Sequence, residues 1–242
     1  MGEIASSRVP PHFSWRRIVE RKKEVLEREA KIRKVHAVAL ARITQFRYAP
    51  GYEEIKERVS DLLKQNKTVV VAVSGPQGSG KSSLVSRAAG ELGGAMVSTD
   101  LYFLPPEIAE RFPLYYDDPR AVKLSELVGH IKDWRNRGLG IKMPVHDLVT
   151  HKEAGVKSIP YKRVLFVEGF MAFHPKVRRL CDLKIFLEAS QGKRLKRRLK
   201  RDVKTRGRKP AYVRDRFYST LEESRLKYLE NWRAKADLII IS

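Results

Sequence analysis

The spacing of hydrophobic residues changes near residue 66 and divides the chain into two parts. In the first part, apolar residues recur at intervals of three, four or seven positions from Ser14 to Phe46, which predicts one amphipathic helix. Pro50-Gly51 would end that helix, and a second helix is predicted over residues 52–64. Residues 1–65 are therefore expected to form a helical N-terminal extension.

The second part contains short runs of β-branched and aliphatic residues without polar alternation. Strands that are buried on both faces have this pattern. Helical patterns alternate with these runs, which is typical of a mostly parallel sheet flanked by helices. The fold class expected for residues 66–242 is therefore α/β. The predicted strands are 68–73, 95–97, 164–167, 183–187 and 238–241, and the predicted helices lie near 81–92, 121–137, 191–206 and 212–235.

Composition narrows the class of protein further. The chain has 242 residues, of which 42% are apolar, so it can bury a core and is not disordered throughout. The single cysteine, Cys181, excludes an internal disulfide framework and a four-cysteine zinc site, and fits a reducing compartment. No apolar run approaches the ~18 residues of a membrane span. We therefore expect a soluble, cytoplasmic protein with no membrane partner.

The formal net charge of +22 is concentrated in two segments. Residues 1–50 carry 12 basic and 5 acidic side chains, and residues 191–216 carry 13 basic and 2 acidic side chains. Clustered lysine and arginine can neutralise the phosphates of a nucleic acid, or can bind the phosphates of a small ligand. A solvated basic surface is the third interpretation. Composition alone leaves all three open.

Gly75-Pro76-Gln77-Gly78-Ser79-Gly80-Lys81-Ser82 follows the first predicted strand and matches the phosphate-loop pattern G-x-x-x-x-G-K-[ST]. Glycines let successive backbone N–H groups point at phosphate oxygens, and the following helix adds its positive N-terminal end. The lysine would reach the β- and γ-phosphates, and the Ser82 hydroxyl would bind Mg²⁺. ATP and Mg²⁺ are therefore the expected cofactors. The residues expected to contact them in this loop are Gly75, Gln77, Gly78, Ser79, Gly80, Lys81, Ser82 and Ser83.

Two acidic residues follow later predicted strands. Asp100 comes after the second strand and Glu168 ends the third. The carboxyl ends of parallel strands are where ligands bind in such sheets. Asp100 is a candidate catalytic base and a candidate Mg²⁺ ligand, and Glu168 is a candidate Mg²⁺ ligand.

The basic segment around residues 191–210 is predicted to be a mobile lid over ATP. Arg198 and Arg201 would share a helix face, and Arg206 and Arg208 follow in the next turns. Planar guanidinium groups suit a phosphoryl group in transfer, and a segment so charged is expected to move rather than to be permanently buried. The segment is therefore a candidate for closing over the phosphates of ATP.

Taken in order, these segments resemble the uridine–cytidine kinases, within the wider uridine kinase, phosphoribulokinase and pantothenate kinase group of P-loop kinases. The resemblance covers residues 68–241. It implies ATP-dependent transfer of a phosphoryl group to a primary hydroxyl of a sugar-like acceptor, with uridine or cytidine as the leading acceptors and pyrimidine salvage as the role. The matching segments are Gly75–Ser83, Ser98–Phe103, Tyr116–Ala121, Pro144–His151, Val164–Phe173 and Arg194–Arg208.

The resemblance also implies roles for single residues. Asp100 matches the catalytic base and Glu168 the acid of the magnesium site, while Lys81 and the lid arginines would stabilise the transferring phosphoryl group. Asp117 and Arg198 match residues that hold the ribose hydroxyls, and His151 matches a histidine that faces the base. Arg201, Arg206 and Arg208 match lid arginines near the phosphates, and of these Arg201 and Arg206 are assigned to the cofactor. The residues assigned to catalysis are Asp100, Lys81 and Arg198. The residues assigned to the substrate are Tyr116, Asp117, His146, His151, Arg198 and Arg208.

Two base-facing positions depart from that pattern, since His146 stands where tyrosine is usual and Arg216 where glutamine is usual. Another acceptor within the same kinase group therefore remains an alternative. A second alternative is an ATP-regulated protein that binds nucleic acid through its two basic segments. The apolar stripe of the N-terminal helix would also suit packing on a second copy of the chain.

Overall fold

A computed structural model describes residues 19–30, 44–114, 117–146 and 153–242. A first helix, α1, covers residues 19–30. Short 3₁₀ turns at Thr99–Tyr102, Pro119–Ala121 and Phe170–Phe173 connect some of the later elements. Those elements are β1 (Thr44–Arg47), α2 (Tyr48–Gln65), β2 (Val69–Ser74), α3 (Lys81–Glu91), β3 (Ala95–Ser98), α4 (Pro106–Ala109), α5 (Leu124–Arg137), β4 (Ile141–His146), β5 (Glu153–Ile159), β6 (Val164–Glu168), α6 (Pro175–Arg178), β7 (Leu183–Glu188), α7 (Gln191–Arg206), α8 (Pro210–Arg216), α9 (Glu222–Ser224), α10 (Glu230–Arg233) and β8 (Leu238–Ile241).

Six strands form one parallel sheet in the order β1-β8-β7-β2-β6-β3. Strand β2 lies in the interior of the sheet, where Val71 pairs with Phe166 of β6 and with Leu183 of β7. Every residue of β2 is buried, because helices cover both faces of the sheet. The predicted α/β fold with a parallel sheet is confirmed, as are the five strands that the sequence predicted.

The two faces of the sheet pack against different helices. Val69, Val71 and Val73 of β2 face α2 and α3, whereas Val70 and Ala72 face α5 and the C-terminal helices. This alternation follows from the period of two in a strand, which sends successive side chains to opposite faces. The core therefore has two apolar layers with the sheet between them.

The N-terminal part differs from its prediction. Helix α1 confirms part of the helix expected from Ser14, but Phe46 lies in strand β1, so the expected extension of that helix to Phe46 is wrong. Pairing with β8 decides the structure of this segment, because hydrogen bonds to an open sheet edge outweigh local propensity. Residues 1–18 and 31–43 lie outside the described residues.

Helix α2 begins at Tyr48 rather than at Tyr52, so that Pro50-Gly51 lies in its first turn and does not end a helix. Proline is tolerated there because the first-turn N–H groups have no partner within the helix. Ile55 and Val59 of α2 are buried against the sheet. These contacts join residues 44–65 to the core, although the sequence assigned them to the extension.

The predicted C-terminal helix is interrupted. The helical segment runs through α8, α9 and α10, with π-helical turns at Phe217–Leu221 and Arg225–Leu229.

An antiparallel hairpin, β4–β5, was not predicted from the sequence. The pairing in β4–β5 is irregular between Pro144 and His146. None of the helices in the described ranges is long and apolar enough to cross a membrane.

Gly51 tests the packing of α2 on the sheet. A Cβ atom there would lie 2.9 Å from both Ile240 Cγ1 and Phe46 Cβ, atoms that are fixed near the backbone. We expect Gly51→Ala to lower the free energy of unfolding by about 1–3 kcal/mol, the usual cost of overpacking a core. The measurement is urea denaturation followed by circular dichroism.

The matched control is Gly90→Ala on α3, where a Cβ atom meets nothing within 4 Å. Removing a helical glycine there should raise stability by about 0.5–1 kcal/mol. Equal responses of the two variants would contradict the packing described for α2.

Candidate active site

The phosphate loop connects β2 to α3 at the carboxyl edge of the sheet, as the sequence predicted. Gly75, Gly78 and Gly80 have φ angles of +146°, +83° and +105°, a region that residues with a Cβ atom rarely adopt. A Cβ atom on Gly75 would also lie 2.1 Å from the carbonyl oxygen of Leu187. The glycines are thus required both by the backbone conformation and by the close approach of β7.

Lys81 is held inside this loop. Its side chain is buried, and Nζ donates hydrogen bonds to the carbonyl oxygens of Gly75 (2.9 Å) and Pro76 (3.1 Å). Burial lowers the pKa of Lys81, while the carboxylates of Glu168 and Asp100 raise it. The ammonium group is therefore already in position to bind an anionic ligand in the loop.

Asp100 and Glu168 lie together at the ends of β3 and β6. Gly169, with φ +131°, allows the end of β6 to approach Thr99 closely, since a Cβ atom on residue 169 would lie 2.0 Å from Thr99 Oγ1. Desolvation by the surrounding protein raises the pKa of Asp100 although its side chain borders the open cleft, and Lys81 opposes this shift. Burial and then the charge of Asp100 raise the pKa of Glu168.

These acids and Ser82 fit a magnesium ion. The charge of Asp100 raises the pKa of Glu168, and a divalent cation between the two carboxylates would relieve this repulsion. The Ser82 and Ser98 side chains hydrogen-bond to Glu168, so a hydroxyl oxygen is adjacent to the acids. Hard oxygen donors of this kind, completed by phosphate oxygens, are the ligands that Mg²⁺ prefers.

Gln77 connects the phosphate loop to the predicted substrate residues. Its Nε2 donates to Asp117 Oδ1 (2.8 Å), and its Oε1 accepts from Arg198 Nη1. Asp117 is only 2% exposed, and its Oδ2 has no hydrogen-bond partner among the described residues. Burial raises the pKa of Asp117 to about 6, although Arg216 and the bond from Gln77 oppose the shift. A buried acceptor without a donor is suited to a ligand hydroxyl.

Asp202 organises the arginines of α7. Its carboxylate lies 2.9 Å from Arg198 Nη2, 2.8 Å from Arg201 Nε and 3.5 Å from Arg206 Nη1. Burial alone would raise the pKa of Asp202, but the hydrogen bond and charges of the three arginines lower it. The predicted helix and the grouping of these arginines are confirmed. Movement of this segment as a lid remains a prediction. One face of the segment is buried here, because Asp202 provides the compensating charge.

A second buried charge network anchors the start of α7. Arg194 donates to Glu222 through Nη1 (2.5 Å) and Nη2 (3.1 Å), and Arg225 Nε donates to the same carboxylate (3.0 Å). Arg225 also pairs with Glu29 of α1 at 2.8 Å. The carbonyl oxygen of Arg194 would lie 2.7 Å from a Cβ atom on Gly78, so this network backs the phosphate loop.

Most of the predicted residues meet in one place. A cavity of about 700 Å³ is lined by the phosphate loop, both carboxylates and two of the lid arginines. Asp117 joins them through Gln77, and Arg206 through Asp202. The lining residues of the predicted set are Gln77, Gly78, Ser79, Gly80, Lys81, Ser82, Ser83, Asp100, Glu168, Arg198 and Arg201.

Of the four remaining predicted substrate residues, only Arg208 has a described side chain, and it does not line this cavity. Tyr116 and His151 lie outside the described residues, and His146 is the last residue of β4, with its side chain also outside the description. Arg208 packs over the ring of Tyr212, 5.3 Å from its centroid. Their roles remain predictions.

Three features of the site were not predicted from the sequence: Asp202, Glu222 and the bridging role of Gln77. Asp202 had a signal, since it is the only acidic residue between positions 191 and 214. Glu222 had none, because its partner Arg194 is 28 residues away and belongs to another helix.

A phosphate loop, two carboxylates and grouped arginines at the carboxyl edge of a parallel sheet define a P-loop kinase. The model of the Phosphoribulokinase / Uridine kinase family matches residues 70–242. The uridine kinase of Ligilactobacillus salivarius is 34% identical over 191 residues, which cover 73% of this chain and 86% of that protein. The uridine kinase of Staphylococcus carnosus is 31% identical over 183 residues, covering 72% and 88%.

Solved structures share the fold. A candidate fructose transport system kinase from Silicibacter sp. TM1040 aligns with a TM-score of 0.61 at 21% identity, covering 72% of this chain and 89% of that chain. A candidate uridine kinase from Bacillus stearothermophilus aligns with a TM-score of 0.54 at 14% identity, covering 77% and 99%.

The chain belongs to the Phosphoribulokinase / Uridine kinase family. It is a phosphotransferase that acts on a hydroxyl group and uses ATP with Mg²⁺. The kinase class, the cofactors and the family resemblance predicted from the sequence are therefore confirmed. The assignment of individual site residues remains a prediction.

The network behind the phosphate loop can be tested at Glu222, which is fully buried. Glu222→Gln leaves Arg194 and Arg225 without their shared counter-charge, and breaking a buried pair in this way costs about 3–5 kcal/mol. We expect that loss in the free energy of unfolding from urea titration.

The control is Asp61→Asn, which removes an exposed pair with Lys64 and should leave the unfolding midpoint nearly unchanged. Equal midpoints for the two variants would show that the Glu222 network does not stabilise the fold.

Proposed function

We propose that the protein transfers the γ-phosphoryl group of Mg·ATP to the 5′-hydroxyl of uridine or cytidine. The observation that carries the proposal is Asp117 Oδ2, a buried acceptor without a partner that Gln77 ties to the phosphate loop. The vicinal hydroxyls of a ribose are donors of the kind this oxygen lacks. The curated relatives named uridine kinases support the same acceptor.

The donor would occupy the phosphate loop. The backbone N–H groups of the loop and the N-terminus of α3 would bind the phosphates, and Lys81 would neutralise their charge. Ser82, Asp100 and Glu168 would hold Mg²⁺, which would neutralise charge that develops in transfer. These roles follow from the shared cavity and from the oxygen donors that face it.

Asp100 would receive the proton of the acceptor hydroxyl. As that oxygen forms its bond to the γ-phosphorus, the bond from the γ-phosphorus to the bridging oxygen of ADP breaks, and the hydroxyl proton passes to the Asp100 carboxylate. Its position in the cavity that also contains Lys81 and Ser82 supports this role, since a general base must lie within reach of the proton it accepts. Arg198 and Arg201 would face the equatorial oxygens of the phosphoryl group.

A second candidate is a kinase of the same group with an anionic acceptor. Arg216 lies close enough to Asp117 to lower the pKa of that carboxyl, so a cationic side chain stands near the acceptor position. A phosphate or carboxylate on the acceptor would benefit from that charge, as in a sugar phosphate or pantothenate. The nucleic-acid alternative has weaker support, because Arg198, Arg201 and Arg206 are turned towards Asp202.

We also propose a cytoplasmic location and a role in nucleoside salvage. The single thiol, Cys181, is buried, and burial raises its pKa to about 12, so it is protected from oxidation chemistry. A free, buried thiol is compatible with a reducing compartment such as the cytoplasm.

The deciding experiment is Mg·ATP-dependent ADP release with uridine, cytidine, adenosine, ribose, ribulose 5-phosphate and pantothenate as acceptors. Uridine or cytidine should stimulate release and the other compounds should not. Stimulation by ribulose 5-phosphate or pantothenate alone would favour the anionic acceptor. With ATP bound but no acceptor active, the proposal would fail.

Asp100→Asn tests the proposed base. The amide cannot accept the hydroxyl proton, so we expect kcat to fall about 10²- to 10⁴-fold, the usual contribution of a general base. ATP binding, measured by calorimetry, should remain. Near-normal turnover by this variant would contradict the role given to Asp100.

Asp117 predicts a pH dependence of acceptor binding. Its pKa is raised to about 6, so the carboxylate that accepts hydroxyl donors is present above pH 6 and is lost as pH falls below it. We expect the KM for the nucleoside to rise roughly tenfold between pH 7.5 and pH 5, the scale of one charged hydrogen bond.

The matched variant is Asp117→Asn, which has no proton to gain in this range. Its KM should be high and nearly independent of pH between 5 and 7.5. If the variant keeps the pH dependence of the wild type, another group is responsible for it.

A further inference from the structure

One wall of the nucleotide cavity comes from a part of the chain that precedes the family match. Tyr48 lines the same cavity as Gly80 of the phosphate loop, Ser83 of α3 and Arg197 of α7. The family model begins at residue 70, so Tyr48 has no counterpart in that model.

The fold explains how Tyr48 reaches this place. Strand β1 is parallel to β8, and its last residue, Arg47, pairs with Ile241 at the carboxyl edge of the sheet. Tyr48 follows immediately and begins α2 at that edge. Ligands of open parallel sheets bind outside the carboxyl ends of the strands. The β1–α2 connection thus adds one more loop to the binding edge.

Tyr48 is held in position by its surroundings. It is half-buried and packs against the apolar layer that contains Tyr52 and Ile55. Close contact of Gly51 with Ile240 fixes the first turn of α2 on β8. Part of the Tyr48 side chain therefore belongs to the core, and the remainder borders the cavity.

The order of the strands shows which end of a nucleotide lies near Tyr48. Asp100 lies just after β3 and Glu168 ends β6, and both strands are on one side of β2. Strands β7, β8 and β1 lie on the other side of β2. A triphosphate on the loop, with its γ-phosphate towards Asp100, therefore extends its nucleoside towards β8 and β1. Three strand spacings separate β2 from β1, about 14 Å, which is on the order of an extended nucleoside triphosphate.

The neighbours of Tyr48 suit a flat aromatic base. Arg197 Nη1 donates to the carbonyl oxygens of Gly78 (3.3 Å) and Ser79 (2.9 Å) and to Ser242 Oγ (3.1 Å), so these bonds hold the arginine against the loop. Tyr48 contributes an aromatic ring to the same cavity, and aromatic rings stack on bases of any identity.

We propose that Tyr48, contributed by the segment before the family region, packs against the base of the bound nucleotide donor. This inference rests on the proposed function in taking ATP as the donor and in placing its γ-phosphate towards Asp100. Phosphate affinity would come from the loop, and base affinity from Tyr48.

The test compares Mg·ATP with inorganic tripolyphosphate, which carries the phosphates without a base. Tyr48→Ala should weaken Mg·ATP binding about 5- to 100-fold, the range for loss of one stacked base, and leave tripolyphosphate binding unchanged. Tyr48→Phe keeps the ring and should bind both ligands as the wild type does. Isothermal titration calorimetry measures both affinities.

The control variant is Gln45→Ala, an exposed position on β1 that lies outside this cavity and should bind both ligands normally. Wild-type Mg·ATP affinity in Tyr48→Ala would overturn the inference while leaving the proposed function intact. Equal loss of both ligands would also overturn it, because the effect would then arise from the phosphate loop. Failure of the unmodified protein to bind Mg·ATP would overturn the inference together with the proposed function.

Discussion

Repulsion between the arginines of α7 is the constraint on which the site depends. Two unit charges 4 Å apart interact by about 4 kcal/mol at an effective dielectric constant near 20. Arg198, Arg201 and Arg206 nevertheless share a single acidic residue, Asp202. That carboxylate allows positive charge to be concentrated at the carboxyl edge of the sheet before phosphates bind.

The same principle operates behind the phosphate loop. Glu222 compensates Arg194 and Arg225, and this allows the backbone of α7 to pack directly on Gly78. Helix α7 therefore supports the loop. Without Glu222, the uncompensated charges of Arg194 and Arg225 would oppose this packing. Preorganised charge of this kind reduces the rearrangement that phosphoryl transfer would require.

Local features of the site could be predicted from the sequence, and contacts between distant segments could not. The phosphate loop is a run of eight consecutive residues, and these residues alone indicate that it binds phosphate. Asp100 and Glu168 lie at the ends of strands that the local sequence already predicts. Strand β1 exists because β8 offers it an edge, so no pattern within residues 44–47 specifies it. Tyr48 becomes part of the cavity only through that pairing.

Buried acids were similarly hard to predict. Asp202 lies within a basic helix, where charge counting alone indicates a solvated face, and Glu222 meets its partners only after the C-terminal helices have packed. Conversely, the amphipathic pattern around Phe46 was misleading, since helical spacing does not exclude a short edge strand.

Phosphoryl transfer to the nucleoside is tested most directly by identifying the product with phosphorus NMR after incubation with Mg·ATP and uridine. We expect a new phosphomonoester whose phosphorus couples to the two 5′-methylene protons, formed in step with ADP. Inorganic phosphate as the sole new species would show that water, and not the nucleoside hydroxyl, receives the phosphoryl group. That result would contradict the site as assigned.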